Sequence, residues 1–364
     1  MHVSRIALRR CLRLTACAAL CAMTLSPSLA AAKDAAVAPV AASPASGTPY
    51  VRPDVKAYLE AMRAAPRPEL TREMLEKIRQ MPPSAMAAMS MGDLPVGELA
   101  VQRDVEMRGP AGQIRLRLYD IRAERGASPV VVFYHGGGFV VGSIDTHDGL
   151  AAEIARRLDL PVVSVEYRLA PENPWPAALD DGEAAARWIA ANAKAFEREF
   201  TGLVLSGDSA GGNITLITAA ALRDKPAALP VVMQLPIYPV TDFSKRYASH
   251  DLFGNGYGLD SSSIDLFTGY YAADPENQRA SPLLGDLAGL PPTVLVTASL
   301  DPLRDEGRAY AAGLVEAGVP TSYYEGKGLI HGFATYRKAI PSAQEDTVTF
   351  LHLARAMLEG IESD

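Results

Sequence analysis

Ser209 stands in the run Gly207-Asp208-Ser209-Ala210-Gly211, with the apolar stretch Leu203–Ser206 before it and Asn213–Leu222 after it. A serine hydroxyl is a weak nucleophile until a base takes its proton, and the base in turn needs an acid to orient it. G-x-S-x-G between a strand and a helix is a turn that lifts such a hydroxyl clear of the backbone. Its glycines are there because side chains would collide in so tight a turn. The order expected in such a chain is serine, acid, histidine. Three histidines follow Ser209: His250, His331 and His352. His250 falls in an irregular stretch and His352 inside the last helical segment. His331, in Gly328–Phe333 (GLIHGF), lies between the last strand pattern and that helix, where a loop can present it. Asp301 follows the apolar run Thr293–Thr297 after a short turn and is the candidate acid. Asp305 and Glu306 compete with it, but they fall in the first turn of a helix, where the helix dipole alone favours acids.

Acyl transfer also needs donors for the oxyanion that develops on the carbonyl, and one missing donor costs on the order of 100-fold in rate. His135–Phe139 (HGGGF) directly follows the apolar run Val130–Tyr134 and is the kind of loop that offers free backbone N–H groups. Gly136, Gly137 and Ala210 are the expected donors, with His135 as a structural residue holding the loop. Phosphate-binding uses of glycine are not indicated: neither G-x-G-x-x-G in a βαβ setting nor G-x-x-x-x-G-K-[ST] is present. Without H-E-x-x-H or a close His/Asp cluster, a metal is not expected.

These residues must be held by a scaffold, and the hydrophobic pattern supplies one. Val101–Met107 and Ile114–Leu118 alternate like paired antiparallel strands. Val130–Tyr134, Val162–Val165, Leu203–Ser206, Val231–Ile237, Thr293–Thr297 and Thr321–Tyr324 are short β-rich runs, as strands buried on both faces should be. Helical patterns at Gly149–Leu158, Gly182–Phe196, Asn213–Leu222 and Ser342–Ile361 lie between or after them. Such alternation predicts an α/β fold, a mostly parallel sheet with helices on both faces. A helical stretch from about Asp54 to Met91, broken by Pro66, Pro68, Pro82 and Pro83, precedes the sheet, with methionines such as Met86 and Met89 expected to pack on the body. Asp242–Leu284 interrupts the alternation with turn residues and aromatics, which predicts an insertion over the carboxyl edge of the sheet.

Five blocks now stand in order: HGGGF (135–139), YRLAPE (167–172), GDSAGG (207–212), DPLRDEG (301–307) and HGF (331–333). Together they resemble the bacterial hormone-sensitive-lipase-like carboxylesterases of the α/β-hydrolase superfamily. The resemblance spans roughly residues 50–360. It implies an eight-stranded hydrolase sheet with a helical cap, and hydrolysis of short-acyl esters through an acyl-enzyme without a cofactor. It carries a triad onto Ser209, Asp301 and His331, and makes YRLAPE a brace for the oxyanion loop. An amidase or peptidase on the same triad, and a non-catalytic small-molecule binder on the same fold, are the alternatives.

The N-terminus reads as targeting. Arg5, Arg9, Arg10 and Arg13 precede the apolar Leu14–Leu25, and small residues follow. The expected organisation is a signal peptide at 1–32, a flexible Ala/Pro/Ser-rich linker at 33–49, and a hydrolase domain at 50–364. Its cap would come from about 50–95 and part of 242–284. Cys11, Cys17 and Cys21 all fall in the signal segment, so an exported mature chain would hold no thiol, in keeping with a periplasmic or secreted protein. Cleavage would move the net charge from −7 to −11, since residues 1–32 hold four arginines and no acid. That charge, with no basic cluster, argues against nucleic acid as a partner and leaves a small-molecule ester. No membrane-spanning segment is expected in the mature chain. The oligomeric state stays open, a homodimer included.

Overall fold

The computed structural model describes residues 48–64, 71–82, 85 and 92–361. The expected signal peptide, almost all of the linker, and Met86 and Met89 lie outside the described residues.

Two helices open the described chain, α1 (Pro53–Ala64) and α2 (Arg72–Arg79), where the proline-broken helical pattern placed them. Pro53 sits at the first position of α1, where a missing N–H costs nothing. Eight strands follow: β1 (Val101–Arg108), β2 (Gln113–Asp120), β3 (Ser128–Tyr134), β4 (Val162–Val165), β5 (Phe200–Asp208), β6 (Val231–Ile237), β7 (Thr293–Leu300) and β8 (Thr321–Ile330). They form one sheet in the order β1-β2-β4-β3-β5-β6-β7-β8. β1 and β2 pair antiparallel with each other, as does β2 with β4, and all later pairings are parallel. The chain thus has the α/β-hydrolase sheet that was expected.

Side chains explain why the parallel strands are so apolar. In β3, Val130, Val132 and Tyr134 enter one core, while Val131 and Phe133 enter the other. β5 divides the same way, with Leu203 and Leu205 on one face and Val204 on the opposite one. This period of two buries both faces, and each fully buried Val or Leu contributes about 1.5–3 kcal/mol. Helices α4 (Ala177–Ala191), α5 (Ala210–Asp224) and α8 (Arg304–Glu316) cover the first face; α1, α3 (Asp148–Leu158) and α9 (Pro341–Ile361) cover the second.

α4 starts before the expected Gly182 and stops at Ala191, with a 3-10 turn at Ala193–Phe196. Gly182 is no helix start. A Cβ there would lie 2.4 Å from Ile214, so the glycine lets α4 approach α5. Within Asp242–Leu284 lie α6 (Ala248–Phe253), α7 (Ser261–Tyr271) and a short 3-10 turn, and the stretch contains no strand. No helix among the described residues is long and apolar enough to cross a membrane.

Candidate active site

β4 lies on one side of β3 and β5 on the other, so β3 and β5 flank the point where the strand order reverses. Crevices for ligands open at the carboxyl ends of strands at such points. Tyr134 pairs with Gly207, which sends the loop after β3 and the turn after β5 off the sheet at the same level. Ser209 occupies that turn, between β5 and α5, with φ 54° and ψ −116°. A side chain rarely adopts this conformation, and it persists only when the surroundings enforce it. They do: the Ser209 N–H donates to Ile237 O at 2.8 Å, and a Cβ on Gly211 would come within 1.9 Å of Tyr134 O.

His331 comes immediately after β8 and presents its ring to Ser209. Its Nε2 is 2.8 Å from Ser209 Oγ and its Nδ1 is 2.7 Å from Asp301 Oδ2. Asp301 is fully buried after β7, and its other oxygen accepts the Leu303 N–H at 2.8 Å. The acid is therefore fixed at both oxygens, and an imidazole held this way keeps its proton on Nδ1 and leaves Nε2 to accept the serine proton. The competing acids are engaged elsewhere. Asp305 accepts from the Ser249 N–H and from Arg304, and Glu306 accepts the Thr241 N–H at 2.7 Å. Burial pushes the Glu306 carboxyl well above its ordinary range. Of the other histidines, His250 accepts the Tyr247 N–H on Nδ1, and burial, then Arg246, pulls its pKa down. His352 is exposed on α9.

The oxyanion loop requires one correction. The Gly136 N–H is not free: it donates to Asp208 Oδ1 at 2.8 Å. The N–H groups of Gly137, Gly138 and Ala210 donate no hydrogen bond among the described residues. Gly137 and Gly138 have φ of 118° and 60°, and a Cβ on Gly137 would sit 2.1 Å from Val141 O. The motif shows that glycines are needed here, and only the fold shows which of them is already bonded. Sequence reasoning also missed Asp208 and His147, whose signals are no more than the second position of GDSAGG and a histidine before α3.

His135 braces the loop from within. Its ring stacks on Tyr167 at 4.2 Å, its Nδ1 donates to Gly136 O at 2.7 Å, and the Tyr167 hydroxyl donates to His135 O at 2.6 Å. Complete burial, with His147 nearby, pulls the His135 pKa down to about 3, so the ring is neutral and serves as no base at Ser209. Ala170 in the YRLAPE block donates its N–H to Phe139 O at 2.9 Å, which braces the far end of the loop.

Ser209, His331, Gly137 and Gly138 open into a cavity of about 1070 Å³. Its wall includes Phe139, Phe243, Phe267 and Tyr271, with Ile264 of α7 and Ile78 of α2 above the strand ends. Charged side chains, Asp242, Lys245, Arg246 and Asp265, also reach the lining, but a mainly apolar chamber that meets the Ser209 hydroxyl suits a substrate carrying one polar, reactive bond.

Comparison with known proteins agrees with this geometry. A family model described as the α/β hydrolase fold matches residues 131–335. Esterase LipI of Mycobacterium tuberculosis is 38% identical over 264 residues, spanning 71% of this chain and 82% of that protein. The ethyl acetate hydrolase of Pseudomonas putida is 36% identical over 314 residues, spanning 82% and 96%. Among solved structures, an α/β hydrolase enzyme from the metagenome of Lake Arreo, Spain, is similar with a TM-score of 0.76 and 38% identity, covering 84% of this chain and 98% of its own. With its sheet, its ordered motif blocks and these relatives all agreeing, the chain belongs to the α/β hydrolase fold family, among the bacterial hormone-sensitive-lipase-like esterases.

Proposed function

We propose that the chain is a serine carboxylesterase that cleaves short-acyl esters through an acyl-enzyme. Ser209 Oγ attacks the ester carbonyl while His331 Nε2 takes its proton, and Asp301 holds the imidazolium that forms. The oxyanion is received by the free N–H groups of Gly137, Gly138 and Ala210. The alcohol leaves with the proton from His331. Water activated by the same nitrogen then attacks the acyl-serine and releases the acid. The observation that carries this reading is the continuous line from Ser209 Oγ through His331 to Asp301, with contacts of 2.8 and 2.7 Å, in the wall of a mainly apolar cavity. The printed names of the relatives, an esterase and an ethyl acetate hydrolase, support the ester as the reacting bond.

The test compares wild type with Ser209→Ala on p-nitrophenyl acetate. The alanine variant is expected to lose at least about 10⁴-fold in kcat with its melting temperature held. Equal rates would end the esterase reading.

A further inference from the structure

Beside the triad lies a buried ion pair that the proton relay does not use. Asp208 is 3% exposed and His147 9%. His147 Nε2 is 3.3 Å from Asp208 Oδ1, the oxygen that also accepts the Gly136 N–H. On the other edge of the ring, Nδ1 is 2.9 Å from Thr146 Oγ1, and the Thr146 hydroxyl spends its own proton on Ser143 O. Thr146 Oγ1 is therefore left to accept from Nδ1–H. At the other edge the Gly136 N–H lies 3.3 Å from Nε2 as well as 2.8 Å from Asp208 Oδ1, and the shorter contact is to the carboxylate. With an oxygen facing each ring nitrogen, one of them a carboxylate's, the surroundings suit an imidazolium.

We propose that the His147–Asp208 pair is the positioning device of the oxyanion hole: the carboxylate fixes Gly136, and the imidazolium fixes and neutralises the carboxylate. This rests on the esterase reading above.

Two physical requirements meet at Asp208. First, Gly136 is buried and its N–H needs an acceptor, since a buried donor left without a partner is strongly unfavourable. Held on Asp208, Gly136 sets the height of Gly137 and Gly138, the next two residues of the loop. No other side chain fits between: a Cβ on Gly136 would lie 2.5 Å from Asp208 Oδ2. Second, an ionised carboxylate on the residue next to the nucleophile would repel the negative charge that develops on the substrate oxygen. Asp208 is buried, so that repulsion is weakly screened. The His147 cation cancels it.

The surroundings favour the charged pair. Burial pulls the His147 pKa down, but Asp208 and then Asp93 more than reverse that, so the group lies above its ordinary value. Burial raises Asp208, yet His147 and the Gly136 N–H hold it below the usual carboxylate range. Of the other groups facing the pair, Asp93 is bound bidentately by Arg337, His135 is neutral, and Tyr167 and Tyr238 are buried phenols with raised pKa.

The test uses Asp208→Ala, Asp208→Asn and His147→Gln in the full chain, assayed on p-nitrophenyl acetate, with reactive Ser209 counted by titration with a phosphonate ester. Per titrated site, Asp208→Ala is expected to lose about 100-fold or more in kcat with KM within about threefold, the size of a lost oxyanion donor. Asp208→Asn keeps an acceptor for Gly136 and should recover at least tenfold of that loss. His147→Gln, which leaves the carboxylate without its cation, should lose about tenfold or more in kcat. A loss that disappears once reactive sites are counted is a folding defect and overturns the proposal. Equal losses in the alanine and asparagine variants, or a change confined to KM, overturn it as well. Wild type that neither turns over esters nor reacts with the phosphonate would bring down the esterase reading itself, and this proposal with it.

Discussion

At the scale of single residues, the site is made usable by strain that its neighbours enforce. Ser209 holds a positive φ because Gly207 and Gly211 allow the turn to press against the end of β3, with Cβ positions 2.6 and 1.9 Å from Tyr134 O. Gly211→Ala is therefore expected to cost about 3 kcal/mol or more, since its obstacle is backbone that cannot swing aside. Gly360→Ala on α9, where a Cβ meets nothing within 4 Å, should instead gain up to about 1 kcal/mol from helix propensity. Denaturant titration of the two variants checks both signs, and a Gly211→Ala protein as stable as wild type would contradict the packing described. That Ser209, Asp301 and His331 would meet was legible in the sequence, because a serine in a G-x-S-x-G turn, an acid just after a strand and a histidine in a loop before the last helix are each set by residue type and chain position. Gly136 was assigned wrongly because its type and place suit an oxyanion donor equally well. Only its distance to Asp208 shows that its N–H is already spent.

At the scale of elements, the loop that delivers His331 is held by a contact across the chain. Arg337, 2% exposed, lies between the 3-10 turn Phe333–Thr335 and α9 and grips Asp93 with Nε at 2.6 Å and Nη2 at 2.9 Å. Lys338 and Ala339 add N–H bonds to Gly92 O. Arg337→Leu leaves the Asp93 carboxylate buried without its cation and is expected to cost about 3–5 kcal/mol of unfolding free energy. Adding Asp93→Asn should recover part of that loss. A cost under about 1 kcal/mol, measured by denaturant unfolding, would count against the contact as a brace. The strands were legible because burial on both faces leaves short unbroken apolar runs. α7 was not, because its sequence (SSSIDLFTGYY) is rich in weak helix formers. Its helix is held by tertiary contacts, such as Phe267 against Gly138 and Tyr271 stacked on Phe139 at 3.8 Å.

At the scale of the whole molecule, arginine–carboxylate pairs set the response to acid. Arg117 holds Asp104 below the usual carboxylate range, and Arg122 does the same for Asp159. At Asp120, Asp145 and Asp305 burial acts in the opposite direction, and Arg125, Arg115 and Arg304 prevail. A carboxylate depressed in the folded state contributes stability above its unfolded pKa and loses it as pH falls through the folded one. Glu306, Glu166 and Asp148 are raised by burial and run the other way, but they are fewer. The melting temperature at low ionic strength should therefore fall steeply below about pH 4. A value unchanged from pH 6 to pH 3 would contradict these pairings. Local pattern alone determined the class of fold, the order of the strands along the chain, and the serine, acid and histidine. These depend on periodicity and on residue type at a given place between elements, and both are written along the chain. The tertiary structure decided which glycine N–H groups remain free, that Asp208 is bound to His147, and how α2 and α7 come to line one cavity with Ser209. Each of those is a distance between residues far apart in sequence, and no local pattern encodes which buried partner a donor meets.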